Sequence, residues 1–487
     1  MVVEIPEKYE DLKNGYVSLA YRVAQLEELL RLDRKRRFGP SSESINHTGM
    51  EPLFSDLMET ENSHPEEKPS KVKGHERKIV RKKIPDSLPR EEIYCDLTPE
   101  EKICPDCQQE MKKISEKFSE KLHVQPAIFI VKKFITPAFC CNACEGIKQA
   151  KMPFHPIPKC QVSQETLAYV AVSKFADGLP LNRVENIFAR NDIDIKRDRL
   201  SGWLIKYSEV LKPVAKEMHE RILAEKVFGI DETTFQVLKE KGRHAHQKSY
   251  MLVQAREGPP GKHLIVFHYE KSRSSGVIGE HLKDFSGHII SDGLGVYDSL
   301  FANRPEIVHG GCWSHARRKF MDAAKVKKKQ ISTAVKMVEL INQLFAVEKR
   351  IKEDCLDIKT TRLEESAKVL DDIDTLLKAK ILCIPKKSLT GNALHYLKNQ
   401  WQKLSIFLSH PELPIHNNFV ERCIRPVAVG RKAFLFADTV EGANAAAIFY
   451  SLISTAKLNK INPYQYLCEA IDELGKGTSP EKLLPIK

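Results

Sequence analysis

The 487-residue chain contains no apolar run of about 18 residues, the length that marks a bilayer-spanning helix. Nor does Met1-Val2-Val3-Glu4 open a secretory signal, which needs a basic start and then an apolar stretch. The expectation from these two absences is a cytoplasmic protein with no membrane partner, in a compartment where thiols stay reduced. A disulfide framework is then excluded, and the 12 cysteines are expected as metal ligands or small buried hydrophobes. Charge is not extreme either: the net +12 is compatible with a polyanionic partner without requiring one. What the chain does have is length for roughly three or four domains. Its hydrophobic residues, 42% of the whole, suffice to fill their cores.

The first segment, residues 1–37, carries Leu12, Tyr16, Leu19, Val23, Leu26 and Leu30 at alternating spacings of four and three. That is a short heptad seam, open to two readings: a coiled coil that pairs two copies, or one amphipathic helix lying on its own chain. Residues 38–94 begin with a Ser-, Glu-, Asn- and Pro-rich stretch, a flexible linker by composition. Its sign then reverses in a basic block with Lys78, Arg81, Lys82 and Lys83, either a solvated tail or a set of phosphate contacts.

Cys104-Pro-Asp-Cys107 and Cys141-Asn-Ala-Cys144 are two C-x-x-C knuckles within residues 95–155. Each such turn aims two sulfurs at one point, so the pair fits a four-thiolate structural Zn²⁺ ribbon, with Cys140 as a rival to Cys141. Cys95 and Cys160 are not expected to bind the metal, and the segment from Val124 to Pro137 is β-like in composition. Residues 160–212 then predict three helices, near 164–176, 181–191 and 198–207, broken by Gly178-Leu179-Pro180 and by a turn at 192–195. This helix-turn-helix-like pattern places Lys196, Arg197 and Arg199 at the entry of the last helix, where a recognition helix meets DNA. A plain three-helix bundle fits the same pattern.

From residue 226 the periodicity becomes strand-like. Val227 to Ile230 leads to Asp231, two more strands follow near 249–255 and 263–268, and a helix is expected near 276–285. A strand at 288–291 leads to Asp292, and another lies near 306–309. Three strands, helix, strand, helix, strand is the order of a ribonuclease H-like core, in which the first and fourth strands are neighbours and their acids converge. An acid closing an apolar run is otherwise a turn or cap residue. The core is expected over 222–315, interrupted by an α-helical insertion at 316–408 and resumed at 409–440, with a helical C-terminal element at 441–487. The resumed part carries Glu421 on a helical segment with Arg422, Arg425 and Arg431, an acid and arginines suited to metal and phosphate or to ordinary surface ion pairs. Cys312-Trp313-Ser314-His315 stands at the entrance to the insertion, with Arg317 and Arg318 just beyond. It reads as a zinc half-site, as a phosphate-positioning element, or as a buried strand-to-helix corner. Two acids at strand ends and a third on a basic helix are what two-metal phosphoryl transfer needs.

Asp231-Glu232-Thr233, Asp292-Gly293, the run from Cys312 to Phe320, and Asn417-Asn418-x-x-Glu421-Arg422 resemble the insertion-sequence-66 family of bacterial transposases. Phe38-Gly39-Pro40-Ser41-Ser42-Glu43 and Ala456-Lys457-Leu458-Asn459-x-x-Asn462-Pro463 are similar to it too, so the likeness runs from residue 38 to residue 463. One departure is His416, where that family usually has aspartate. The resemblance implies a multidomain α/β enzyme whose Asp231, Asp292 and Glu421 hold two Mg²⁺ or Mn²⁺ ions for DNA cleavage and strand transfer. His315, Arg317, Arg318, Arg422, Arg425 and Arg431 would contact DNA near them. The ribbon, basic block and helical domain would recognise terminal inverted repeats. The partners it implies are double-stranded DNA (repeat ends and target), a second copy in a homodimer, and helper proteins encoded by the same element, at the bacterial nucleoid. Two alternatives remain: a catalytically decayed copy acting as a DNA-binding regulator, for which His416 is the argument, and a ribonuclease H-like nuclease of branched DNA.

Overall fold

The computed structural model describes residues 128–140, 147–325 and 332–487, with the single positions 19, 23 and 109. Leu19 and Val23 of the heptad seam are helical and exposed. The rest of that seam, the linker, Lys78, Arg81, Lys82 and Lys83, and Cys104, Cys107, Cys141 and Cys144 lie outside the described residues. The chain divides into two compact units, Met58–Lys133 and the remainder. In the first unit, residues 128–133 have no regular secondary structure.

In the second unit, residues 134–137, like 128–133, are not strand, although the composition from Val124 to Pro137 is β-like. The strands come later: β1 (Ala138–Cys140) pairs antiparallel with β2 (Ile147–Gln149), Cys140 opposite Ile147. Ile128, Ile130, Val131 and Ile135 are all exposed. β-branched composition does not make a strand without a neighbour to take its hydrogen bonds.

Three helices follow where the alternation predicts them: α1 (Gln164–Phe175), α2 (Leu181–Ala189) and α3 (Arg197–Leu223). The third differs from expectation, because it continues for 27 residues and passes the boundary placed at 212. Its buried stripe, Leu200, Leu204, Tyr207, Leu211, Val214, Met218 and Ile222, keeps helical spacing along the whole length, and this packing carries the helix through Pro213, which would otherwise mark its end.

A five-stranded sheet is built from β3 (Val227–Thr234), β5 (Tyr250–Arg256), β6 (Leu264–Glu270), β7 (Gly287–Ser291) and β8 (Ile307–Gly311), in the order β6-β5-β3-β7-β8. β3 is antiparallel to β5 and β5 to β6, whereas β3, β7 and β8 run parallel. The helix α4 (Ser275–Glu280) leads into β7, and α5 (Gly295–Phe301) connects β7 to β8. Buried residues fall on both sides of consecutive positions in β5 and β6, as in strands covered on both faces. A second pairing was not expected: β4 (Val237–Lys239) lies parallel to β9 (Ala437–Thr439). Strands this short carry no periodicity to read.

The chain then forms α6 (Trp313–Ala324) and the helical insertion, in which α7 (Thr333–Glu353), α9 (Ala367–Ile381) and α10 (Leu389–Ser405) share one core, while the short α8 (Ile358–Thr361) contributes no buried residue. Trp313, Phe320, Met337, Ile341, Ile373 and Leu397 are fully buried there. Buried Arg362 ties the insertion to the chain returning to the sheet. Its Nε and Nη2 each lie 2.8 Å from Glu348, and its Nη1 donates to the carbonyls of Phe407, Pro411 and Leu413. The return delivers α11 (Asn418–Phe434), and the chain ends in α12 (Val440–Leu458) and α13 (Pro463–Gly475). Among the described residues, no helix is long and apolar enough to cross a membrane.

Candidate active site

Asp231 is not the last residue of its strand, as the apolar run suggested. β3 continues to Thr234, with Asp231 opposite Val253 of β5. On its other side, however, the pairing with β7 stops at Gly229 opposite Ile290. Asp231 and Asp292 each stand two residues beyond that last pair, so two parallel neighbours carry their acids at the same level. The period of two along a strand puts both on the face of Gly229 and Ile290.

Glu421 arrives from the helix α11, which is clamped to β3 at its start. Buried Asn417 donates from Nδ2 to the carbonyl of Ile230 at 3.1 Å, and its N–H donates to Cys312 Sγ at 3.2 Å. Trp313 adds a backbone bond to Ile415 O (2.9 Å) and a ring N–H bond to Leu404 O (2.8 Å). The approach is so close that a Cβ on Gly229 would lie 2.4 Å from both Asn417 Oδ1 and Val420 Cγ2. Gly293, beside Asp292, is under the same restriction from the insertion: its Cβ would lie 2.6 Å from the Tyr396 hydroxyl oxygen. One turn after Asn417, Glu421 receives Arg318 Nη2 at 3.1 Å on Oε2, with His315 Nδ1 3.6 Å from Oε1.

The three acids act on one another electrostatically. Burial, then the nearby Asp292, raise the Asp231 carboxyl from its ordinary 3.8 to about 8, and Glu232 and Glu421 push the same way. The bond Asp231 Oδ1 accepts from the Glu232 N–H (2.8 Å) only partly opposes this. Asp292 is oriented by the N–H of Leu294, 3.0 Å from its Oδ1. Glu232 is a participant that sequence reasoning missed as a separate group. It accepts from the Tyr297 hydroxyl (2.7 Å) and lies 3.5 Å from Arg273, and burial raises its pKa. His315 is pulled down by burial against the attraction of Glu421. His315 Nδ1, Asn417 Oδ1 and Glu421 Oε1 are buried with no hydrogen-bond partner. One ligating atom each of Cys312, His315 and Glu421 lies within 4.8 Å of the others.

The residues expected to contact DNA are distributed unevenly. Arg318 stands at the site, and Arg425 is exposed one turn beyond Glu421. Arg422 reaches Glu257 (3.4 Å) and lies over the Phe419 ring. Two others are placed otherwise than expected. Arg317 is 6% exposed, with its Nε 2.6 Å from Asn342 of the insertion, so it holds α6 to α7. Arg431 bonds Thr233 Oγ1 (3.2 Å) and Thr234, and so fastens the end of β3 to α11. Lys196, Arg197 and Arg199 are exposed at the start of α3, where Lys196 pairs with Asp194 (2.9 Å) and Arg199 donates to Gln161 (3.1 Å). They lie on a different element from the acids. His416 stacks on Phe345 with ring centroids 5.8 Å apart, its Nδ1 buried without a partner, and burial lowers its pKa. Cys312 is buried at the strand-to-helix corner, and burial pushes its thiol up to about 11. Cys160 is one of the free cysteines among the described residues.

These elements define an α/β protein in which a mixed sheet and a helix clamped to it gather three carboxylates. Residues 159–445 match the model of the transposase IS66 family, residues 101–145 that of the zinc-finger binding domain of transposase IS66, and residues 25–93 one described as transposase C of IS166 homeodomain. The chain belongs to the IS66 transposase family. Among similar proteins, y4qI of Sinorhizobium fredii is 28% identical over 95% of this chain and 89% of its own length. The same organism's y4jD is 28% identical over 99% and 96%, and its y4hP 26% identical over 82% and 75%. All three are described only as uncharacterized proteins.

Proposed function

We propose that this chain is a metal-dependent DNA transposase that binds the terminal inverted repeats of an insertion sequence, cleaves there and joins the freed strand to target DNA. The observation that carries the proposal is geometric: Asp231 and Asp292 stand at one level on neighbouring strands, and Asn417 fastens the helix of Glu421 to β3 beside them, so that burial, then Asp292, with Glu232 and Glu421, raise the Asp231 carboxyl. A ribonuclease H-like core is supported by the sheet order, by the three antiparallel strands followed by two parallel ones, and by acids on the first and fourth of them. Half-buried carboxylates that repel one another, and a Glu421 oxygen with no hydrogen-bond partner, suit a cationic occupant. Asp231, Asp292 and Glu421 would hold two Mg²⁺ or Mn²⁺ ions, which would supply the positive charge that activates an attacking oxygen and stabilises a leaving one.

The chain's own residues do the positioning. Asn417 locks the first turn of α11 to β3, which sets the level of Glu421 against Asp231. Arg318 restrains the Glu421 carboxylate and leaves part of its guanidinium exposed for a phosphate. Arg425, and Lys196, Arg197 and Arg199 at the other locus, offer exposed cations for the DNA backbone. The four cysteines of the matched zinc-finger segment would hold one structural Zn²⁺, with the basic block beside them adding phosphate contacts. Pairing through the N-terminal seam would bring two DNA ends together in a dimer.

The test uses the full chain with DNA carrying the element's ends. Wild-type protein is expected to nick the ends only with Mg²⁺ or Mn²⁺ present. Asp231→Asn, Asp292→Asn and Glu421→Gln should each abolish nicking while retaining end binding in a gel shift. Because the acids act as a unit, a double variant should lose no more than a single one. Wild-type protein that binds the ends but never nicks them would leave a DNA-binding regulator as the function.

A further inference from the structure

Outside the acidic site, three histidines from three elements meet: His219 on α3, His268 on β6 and His281 at the C-terminal cap of α4. One ring nitrogen of each lies within 4.8 Å of the others. The ring centroids are 4.1 Å apart for His268 and His281, 4.6 Å for His219 and His268, and 5.9 Å for His219 and His281. No short motif joins these positions, and neither the acidic site nor the cysteine knuckles include them.

The hydrogen bonds around the trio prepare it for a cation. His219 Nδ1 lies 2.9 Å from Gln254 Oε1, His268 Nε2 lies 3.3 Å from the same oxygen, and His281 Nε2 lies 2.6 Å from Glu270 Oε1. An amide or carboxylate oxygen can only accept, so each ring donates its one N–H there and keeps its other nitrogen as a lone pair. Gln254 is fully buried, and its Nε2 is anchored on the carbonyl of His281 at 3.3 Å. Imidazole that gives one N–H to such an oxygen while its other nitrogen binds metal is the common second layer of histidine sites. Burial keeps His219 and His268 below their ordinary pKa, which favours the neutral form that ligation requires. Glu270 and His281 are each about a fifth exposed, 23% and 20%, which leaves an ion a way in.

We infer that His219, His268 and His281 form a transition-metal site for Zn²⁺, with Glu270 bracing His281 and water completing the shell. Imidazole nitrogens suit Zn²⁺ and not Mg²⁺, so this site and the acidic one select different ions. Its place in the fold gives it a structural role. It joins the far end of α3, whose other end bears Lys196, Arg197 and Arg199, to the edge of the sheet and to α4. The inference stands apart from the transposase proposal and holds for any function of the acidic cluster.

The test is elemental analysis of full-length protein purified with Zn²⁺ and desalted. His268→Asn and the pair His219→Gln with His281→Gln should each carry one fewer zinc per chain than wild type, and Glu421→Gln should carry the same as wild type. Zinc X-ray absorption of wild-type protein should show imidazole scattering beside the thiolate signal, a readout that survives even if the histidine variants fold poorly. Equal zinc in wild type and the histidine variants would overturn the site, as would a purely thiolate spectrum. Loss of the second ion in Glu421→Gln but not in the histidine variants would assign it to the acidic cluster and equally end the inference.

Discussion

His309 on β8 shows what one buried side chain contributes. Its Nε2 lies 2.7 Å from Ser291 Oγ, and its ring packs beside Phe301 and Tyr297. Burial, helped by Lys403, lowers its pKa from 6.5 to about 4. An unfolded chain therefore takes up a proton at this ring near 6.5 that the folded chain refuses until about 4. The stability it supports is complete above the upper value and is lost as pH falls through the window. Urea midpoints are expected to drop as the pH is lowered from about 7 to about 4.5, and to drop less for His309→Asn, which still offers Ser291 a partner. Parallel pH profiles for the two proteins would show that this ring titrates normally. Arg317 and Arg431 make a second point at this scale. Both were expected to face DNA, and both bond within the protein, because an arginine beside an insertion or a strand end finds a local oxygen first.

Between elements, the contact of β6 with α12 decides how the sheet ends. β6 is an edge strand, with unpaired backbone groups along one side. Ser451 and Thr455 of α12 and Asn459 at its C-terminal cap, spaced four apart, reach alternate residues along that edge and just before it. Ser451 Oγ receives the Phe267 N–H at 2.8 Å, Thr455 Oγ1 the Ile265 N–H at 3.1 Å, and Asn459 Oδ1 the His263 N–H at 2.9 Å. Thr455 Oγ1 and Asn459 Nδ2 return bonds to the Ile265 and His263 carbonyls, at 3.2 and 2.9 Å. The match is geometric: four helical residues rise about 6 Å, and two strand residues about 6.7 Å. Thr455→Val keeps the shape but leaves two buried backbone groups unpaired, at a cost of about 1–3 kcal/mol. Chemical denaturation reads this directly, and a change within error would mean that the edge finds other partners.

For the whole molecule, the helices before the sheet and those after it share one core. Tyr207 of α3 donates its hydroxyl to Leu467 O (3.2 Å), and Phe175 of α1 stacks on Phe449 of α12 with centroids 5.0 Å apart. The helical region drawn at 160–212 is therefore not a separable domain: a cut at 212 severs α3 and strips Phe175 and Tyr207 of their far partners. A fragment of residues 160–212 is expected to lack a cooperative thermal transition, whereas one of residues 160–487 should show it by circular dichroism. A sharp melt of the short fragment would restore the independent bundle. If the prediction holds, DNA recognition by this region has to be measured in the whole chain, where α3 also reaches the sheet through His219 and Gln254.

Local patterns in the sequence sufficed for the strands and helices of the five-stranded sheet and for their order along the chain. Each rests on a periodicity of a few residues or on a short motif, and such signals come from neighbours along the chain. The Glu421 helix was readable for the same reason, because Asn417 and Glu421 lie one turn apart. The folded arrangement settled the rest. It carried β3 past Asp231 while β7 diverged, required a glycine at 229 under Asn417, and turned Arg317 inward. It also aligned Ser451, Thr455 and Asn459 with an edge strand nearly two hundred residues away and brought His219, His268 and His281 together. Such contacts follow from which faces pack, and packing is a property of the assembled core that no window of adjacent residues encodes.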